Sequence, residues 1–210
     1  MQIVVLANIE QEQEIKVGKN LSDKIDFAFI SDVSEINAFK NADAFFLFAE
    51  DVATKVIESI PGKPVIINSV TDTLKSLKLR PNVSRINGWP GFLKRPIWEV
   101  ASNEKDTLSN LFRLLGWEYC FVKDEPGLVA ARVLSMIINE AYFALGEDIS
   151  TREEIDLAMK LGTNYPYGPF EWEDKIGTMR IYELLKKLSE MDTRYAVAPS
   201  FEEKFSSINS

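Results

Sequence analysis

The sequence predicts an α/β protein in two parts, a parallel-sheet layer over residues 1–124 and an all-helical domain over 125–210. Short apolar runs alternate with candidate helices through the first part, the pattern of strands joined by crossover helices. Asp124-Glu125-Pro126-Gly127 then marks a boundary. Beyond it the apolar periodicity is helical throughout.

Ile3 to Ala7 reads as a buried parallel strand, Ile25 to Ile30 as a second and the Phe-rich Asp43 to Phe48 as a third. The turn Pro61-Gly62-Lys63-Pro64 introduces a fourth, Pro64 to Asn68. Between the third and fourth, Val52, Val56, Ile57 and Ile60 fall at helical spacing and predict a helix over Asp51 to Ile60. Asp106 or Thr107 can cap a helix carrying Leu108, Leu111, Leu114 and Leu115, closed by Gly116. The strand Trp117 to Val122 follows, which makes Cys120 a buried structural thiol rather than a nucleophile.

In the second part, Leu128 to Leu145 is apolar nearly all round, so it is expected to be buried on every side. Ser150 and Glu153 form a capping box ahead of Ile155, Ala158, Met159 and Leu161, with Gly162 as the stop. The Pro- and Gly-rich segment from Gly162 to Gly177 reads as a shaped, rigid connection. Met179 to Met191 is a further helix with Ile181, Leu184, Leu185 and Leu188 inward, and the tail from Ser206 is expected to fray.

Composition bounds the function. The 210 residues suffice for one large or two small domains, and 46% apolar with 27% charged residues is ordinary for a soluble globular chain. A net charge of −8 argues against nucleic acid or an anionic membrane as partner. A single cysteine excludes an intramolecular disulfide and fits a reducing cytoplasm. The N-terminus lacks the basic region of a signal peptide, and no apolar stretch is long enough to span a membrane. There is no histidine, and no metal site is assigned.

Several motifs run in register from Lys123 onward. They are Asp124-Glu125-Pro126-Gly127-Leu128 with Arg132, then Asn139-Glu140-Ala141, then Ile149-Ser150 through Ile155-Asp156, then Ala158-Met159-Lys160-Leu161-Gly162. Gly162-Thr163-Asn164-Tyr165-Pro166-Tyr167-Gly168-Pro169-Phe170-Glu171 follows, with Asp174 and Gly177. In order and spacing they resemble the C-terminal domain of the 3-hydroxyacyl-CoA dehydrogenase family. The resemblance implies a reduced Rossmann-like domain followed by a helical domain of the 6-phosphogluconate dehydrogenase C-terminal-like type. It also implies NAD as cofactor, a 3-hydroxyacyl-CoA substrate and a homodimer joined through the C-terminal helices.

Carried over residue by residue, the family's catalytic histidine falls on Asn87 and its glutamate on Glu99, in Ile97-Trp98-Glu99-Val100. Its serine falls on Asp72 and its substrate-side asparagine on Ala131. In the family the histidine takes the proton of the 3-hydroxyl, and a carboxamide cannot. The glycine-rich loop that cradles a dinucleotide is replaced by Asn8-Ile9-Glu10-Gln11-Glu12-Gln13-Glu14, whose carboxylates repel a diphosphate. Asp32, at the end of the second strand, stands where a ribose-binding acid would, or is a helix cap. The long helical arm before the third strand is missing.

Three readings follow: a family-type NAD-dependent dehydrogenase; a non-catalytic descendant that binds an acyl-CoA or pairs with an active paralogue; and an enzyme of other chemistry using Asp72 and Glu99 as a carboxylate pair. The substituted positions favour the second.

Overall fold

The structure is a computed structural model that describes residues 1–49, 54–60 and 62–208. These divide into two compact units, Met1–Leu128 and Val129–Ser210.

In the first unit, β1 (Gln2–Leu6), β2 (Asp26–Ile30), β3 (Ala44–Leu47), β4 (Val65–Asn68), β5 (Val83–Ile86), β6 (Ile97–Ser102) and β7 (Glu118–Phe121) form one sheet in the order β2-β1-β3-β4-β5-β6-β7. The helices are α1 (Ile9–Gly18), α2 (Thr54–Ser59) and α3 (Lys105–Leu115), with a 3-10 helix over Val33–Phe39. The chain leaves β1 first to one side and later returns to its other side, which puts the topological switch point between β1 and β3.

Alternating side chains build a core on each face. Ile3, Val5, Phe46, Ile66, Ile86, Trp98 and Val100 pack with Ile15 of α1 and Leu108, Leu111, Phe112 and Leu115 of α3. Val4, Leu6, Phe45, Leu47, Val65, Ile67 and Val83 pack with Ile36 of the 3-10 helix and Ile57 of α2.

The strands expected from apolar runs are present, with two differences. β5 and β6 have no clear apolar signature, and β6 runs antiparallel to β5 where an all-parallel sheet was expected. Cys120 is exposed on the edge strand β7, correcting the buried-thiol reading; a terminal strand has no neighbour to cover it. The helix expected over Asp51 to Ile60 is seen as α2, while Asp51, Val52 and Pro61 lie outside the described residues.

The second unit contains α4 (Ala130–Gly146), α5 (Arg152–Thr163), α6 (Pro169–Ile176), α7 (Thr178–Ser189) and α8 (Pro199–Ile208). α4 buries Ala131, Leu134, Ser135, Ile138, Asn139 and Tyr142, but Val129 and Val133 are 51% and 53% exposed. The expectation of burial on every side is therefore corrected: the other helices cover one side of α4.

The capping box of α5 is Thr151 with Glu154, one residue later than expected, and Gly162 lies inside the helix, which ends on Asn164 in the left-handed conformation. The Pro–Gly segment is more than a connection. Pro169 opens α6, and the Asp156 carboxylate accepts the Phe170 and Glu171 amides at 2.8 and 3.1 Å, capping that helix from α5. α8 continues through Ile208, so the tail does not fray at Ser206. Phe201 anchors it by stacking on Tyr142, with ring centroids 4.3 Å apart.

No helix among the described residues is long and apolar enough to cross a membrane.

Candidate functional site

In an open α/β sheet, ligands bind beyond the carboxyl ends of the strands. At the end of β5 stands Asn87, 6% exposed. Its Oδ1 accepts the Trp89 amide at 3.1 Å, while its Nδ2 is buried without a hydrogen-bond partner among the described residues. Such a donor is costly to leave unpaired.

The antiparallel register pairs Arg85 with Ala101 and Ile86 with Val100. Asn87 directly follows β5, beside the strand that bears Glu99. The parallel register of β6 and β7 adds Cys120 beside Glu99. Partial desolvation first, and Glu99 second, raise the Cys120 pKa, so that thiol stays protonated at neutral pH. Arg95 lies with its guanidinium 3.9 Å over the Phe92 ring. Burial lowers its pKa and neighbouring Glu99 works against that.

Neighbouring polar groups fix this end of the sheet. Asn68, the last residue of β4, accepts the Gly88 amide through Oδ1 at 2.9 Å. Arg85 is fully buried and donates to Asp124 Oδ1 at 2.6 Å, the Ser69 carbonyl at 2.9 Å and the Glu125 carbonyl at 2.6 Å. Asp124 also accepts the Leu74 and Lys75 amides at 3.1 and 3.2 Å.

Of the four positions carried over by resemblance, Asn87 directly follows β5 and Glu99 lies on the neighbouring strand β6. Asp72 is exposed in the loop after β4, on the side of the Arg85–Asp124 cluster, with its carboxylate 3.5 Å from Ser76 Oγ. Ala131 is buried on α4, in the second unit, and offers a methyl group. One turn along α4, Ser135 Oγ is buried without a hydrogen-bond partner among the described residues. Asp32 is a cap: its Oδ1 accepts the Ser34 amide at 2.7 Å and hydroxyl at 2.6 Å, and these bonds hold its pKa below the ordinary carboxylate value.

At the switch point, Asn8 Oδ1 accepts the Gln11 amide at 2.8 Å, and Gln11 Oε1 accepts the Asn8 amide at 3.0 Å. The other end of the same Gln11 side chain donates to the Phe48 carbonyl at 2.8 Å, tying α1 to the end of β3. Glu10 and Glu12 occupy the first turn. Further along α1, the Glu14 carboxylate accepts the Gly91 and Leu93 amides at 2.5 and 3.1 Å. A dinucleotide needs free amides and a glycine surface here. Capped amides, two carboxylates and no glycine do not fit one.

Asn68, Arg85, Gln11, Glu14 and Ser135 escaped the sequence reading. Asn68 closes a recognisable strand and could have been noticed there. Gln11 stands three residues after Asn8, a capping spacing that could also have been read, whereas the partners of Arg85 and Glu14 are distant in sequence.

The sequence model of the 3-hydroxyacyl-CoA dehydrogenase C-terminal domain matches residues 127–207. The Escherichia coli 3-hydroxyadipyl-CoA dehydrogenase is 46% identical over 67 residues, 32% of this chain and 14% of that protein. The Clostridioides difficile 3-hydroxybutyryl-CoA dehydrogenase is 36% identical over 96 residues, 45% of this chain and 34% of that protein. The chain thus spans about a third or less of those two relatives' length. Among solved structures, the (S)-3-hydroxybutyryl-CoA dehydrogenase PaaH1 of Ralstonia eutropha superposes with a TM-score of 0.72, covering 98% of this chain and 93% of that one at 21% identity. That is a likeness of fold, a Rossmann-like sheet followed by a helical domain. The 3-hydroxybutyryl-CoA dehydrogenase of Escherichia coli superposes with a TM-score of 0.56 over 66% of this chain and 31% of that one, at 28% identity. Residues 127–207 thus match the C-terminal domain of the 3-hydroxyacyl-CoA dehydrogenase family in sequence, and the whole chain shares that family's fold.

Proposed function

We propose that the chain is a non-catalytic or strongly impaired member of this family that binds an acyl-CoA thioester without oxidising or reducing it. The observation that carries the reading is Asn87, buried directly after β5 beside the strand that bears Glu99, with an Nδ2 that has no hydrogen-bond partner among the described residues. A carboxamide donates to an acceptor oxygen but takes no proton near neutral pH. General base catalysis contributes roughly 10²–10⁴-fold, about 3–5 kcal/mol of barrier, and Asn87 cannot supply it. What the position retains is a hydrogen bond to a ligand oxygen.

The chain acts as a homodimer joined through its C-terminal helices. Support comes from Val129 and Val133, one turn apart and exposed, and from Leu157 and Leu161 on α5, 53% and 78% exposed. Light scattering is expected to give twice the chain mass of 23.8 kDa, whereas a monomer that joins only an active paralogue rejects self-pairing. A reducing cytoplasm suits the exposed lone thiol of Cys120.

The test is calorimetric titration with acetoacetyl-CoA beside an NADH oxidation assay. Saturable thioester binding, lost in Asn87→Leu, with no turnover, is expected. Turnover on the order of 1–10³ per second would establish a functional dehydrogenase with an atypical site instead.

A further inference from the structure

We infer that the first unit has closed its own dinucleotide crevice, so that NAD and NADH do not enter between β1 and β3. The inference is independent of the thioester reading, because it concerns different residues.

Entry of a diphosphate requires amide N–H groups at the start of α1. The Gln11 amide is taken by Asn8, and the Asn8 amide by Gln11. The crevice is also bridged. Gln11 Nε2 on α1 holds the Phe48 carbonyl at the end of β3, at 2.8 Å. Glu10 and Glu12 replace the favourable end of the helix dipole with negative charge, and Lys16 answers one of them by pairing with Glu12. Asp32, the candidate ribose acid, is committed to Ser34.

Nor can α1 withdraw easily to make room. Its far end is pinned by Glu14 on the Gly91 and Leu93 amides, and by the Lys19 ammonium on the Pro96 carbonyl at 2.7 Å. Gly18 sits so close to the Lys94 backbone that a Cβ there would collide with it. The opening therefore requires breaking contacts at both ends of one helix, and the Asn8 and Gln11 amides at its start are already taken.

The experiment is calorimetric titration of the full chain with NAD and with NADH to about 1 mM, paired with amide hydrogen exchange. A dehydrogenase with an intact glycine-rich loop serves as the positive control. The expected result is no saturable heat and unchanged exchange over residues 6–14 and 48–49. Saturable heat without protection in those segments also supports closure, since the dinucleotide then sits elsewhere. Binding at least tenfold tighter than the 1 mM limit, with new protection at Asn8–Gln11, overturns the inference. Thioester binding is measured separately without dinucleotide, so either reading can fail alone.

Discussion

Replacing Glu173 tests how the helical unit is held together. Its carboxylate is wholly buried. It accepts the Tyr142 hydroxyl at 2.6 Å, the Thr178 hydroxyl at 2.7 Å, the Lys204 ammonium at 2.8 Å and the Arg152 guanidinium at 3.4 Å. One side chain on α6 thus ties α4, α7 and α8 to the start of α5. Burial works to raise its pKa, but the bonds from Lys204, Tyr142 and Thr178 outweigh that and hold it below its ordinary 4.5.

Breaking a buried ion pair from one side costs about 3–5 kcal/mol. Lys204 and Arg152 remain 30% and 31% exposed and can turn partly to water, so Glu173→Leu is placed at the lower end, about 3 kcal/mol. With a urea m-value of about 1–3 kcal/mol/M, the midpoint of the helical transition falls by about 1–3 M. Circular dichroism of the full chain in urea reads it.

The pH dependence supplies a second readout. A carboxyl whose folded pKa lies below its unfolded value adds stability that is present above the unfolded pKa and is lost as pH falls through the folded one. Wild type should therefore weaken on acidification below the ordinary carboxyl range more steeply than Glu173→Leu. A midpoint unchanged within about 0.3 M, or identical acid profiles, would refute the account.

Two further predictions concern the anchoring of α1. Burial pulls the pKa of Lys19 down to about 8, against the upward pull of Glu118, while its ammonium lies 4.5 Å from the Trp98 ring centre. The unfolded chain binds this proton up to its ordinary 10.5, so Lys19 contributes stability that rises with pH between about 8 and 10.5, on the order of 1–2 kcal/mol. Denaturation midpoints across that window should climb in wild type and climb less in Lys19→Met; equal slopes would count against it. Gly18→Ala should cost about 1–3 kcal/mol by pressing on the Lys94 backbone, and a melting temperature equal to wild type would show that the loop gives way freely.

How far the sequence disclosed the fold depends on where each signal lies. β1, β3 and β4 announce themselves because both faces are buried and the runs are continuously apolar. β5 hides because Arg85 interrupts a strand of four residues, and nothing local says that Asp124 and three carbonyls will satisfy a buried guanidinium. Without β5, the antiparallel step to β6 cannot be foreseen. The start of α5 was ambiguous by one residue because Ser150 and Thr151 each have a glutamate three residues on; Thr151 caps the helix and Ser150 Oγ bonds Glu154 at 2.7 Å. Asn87 and Glu99 were legible as positions through resemblance, but the adjacency of β5 and β6 and the unpartnered Nδ2 required coordinates.

The Glu14 carboxylate, seated on the amides of Gly91 and Leu93, has a consequence for the life of the protein. A loop whose backbone donors are met by a diffusible anion is only as ordered as the supply of that anion permits, and its stability follows the logarithm of concentration. Here the anion is tethered to the same chain and is present in every molecule from the moment of synthesis. Order in this loop is then decoupled from metabolite levels, and starvation or excess should leave its persistence against proteolysis unchanged.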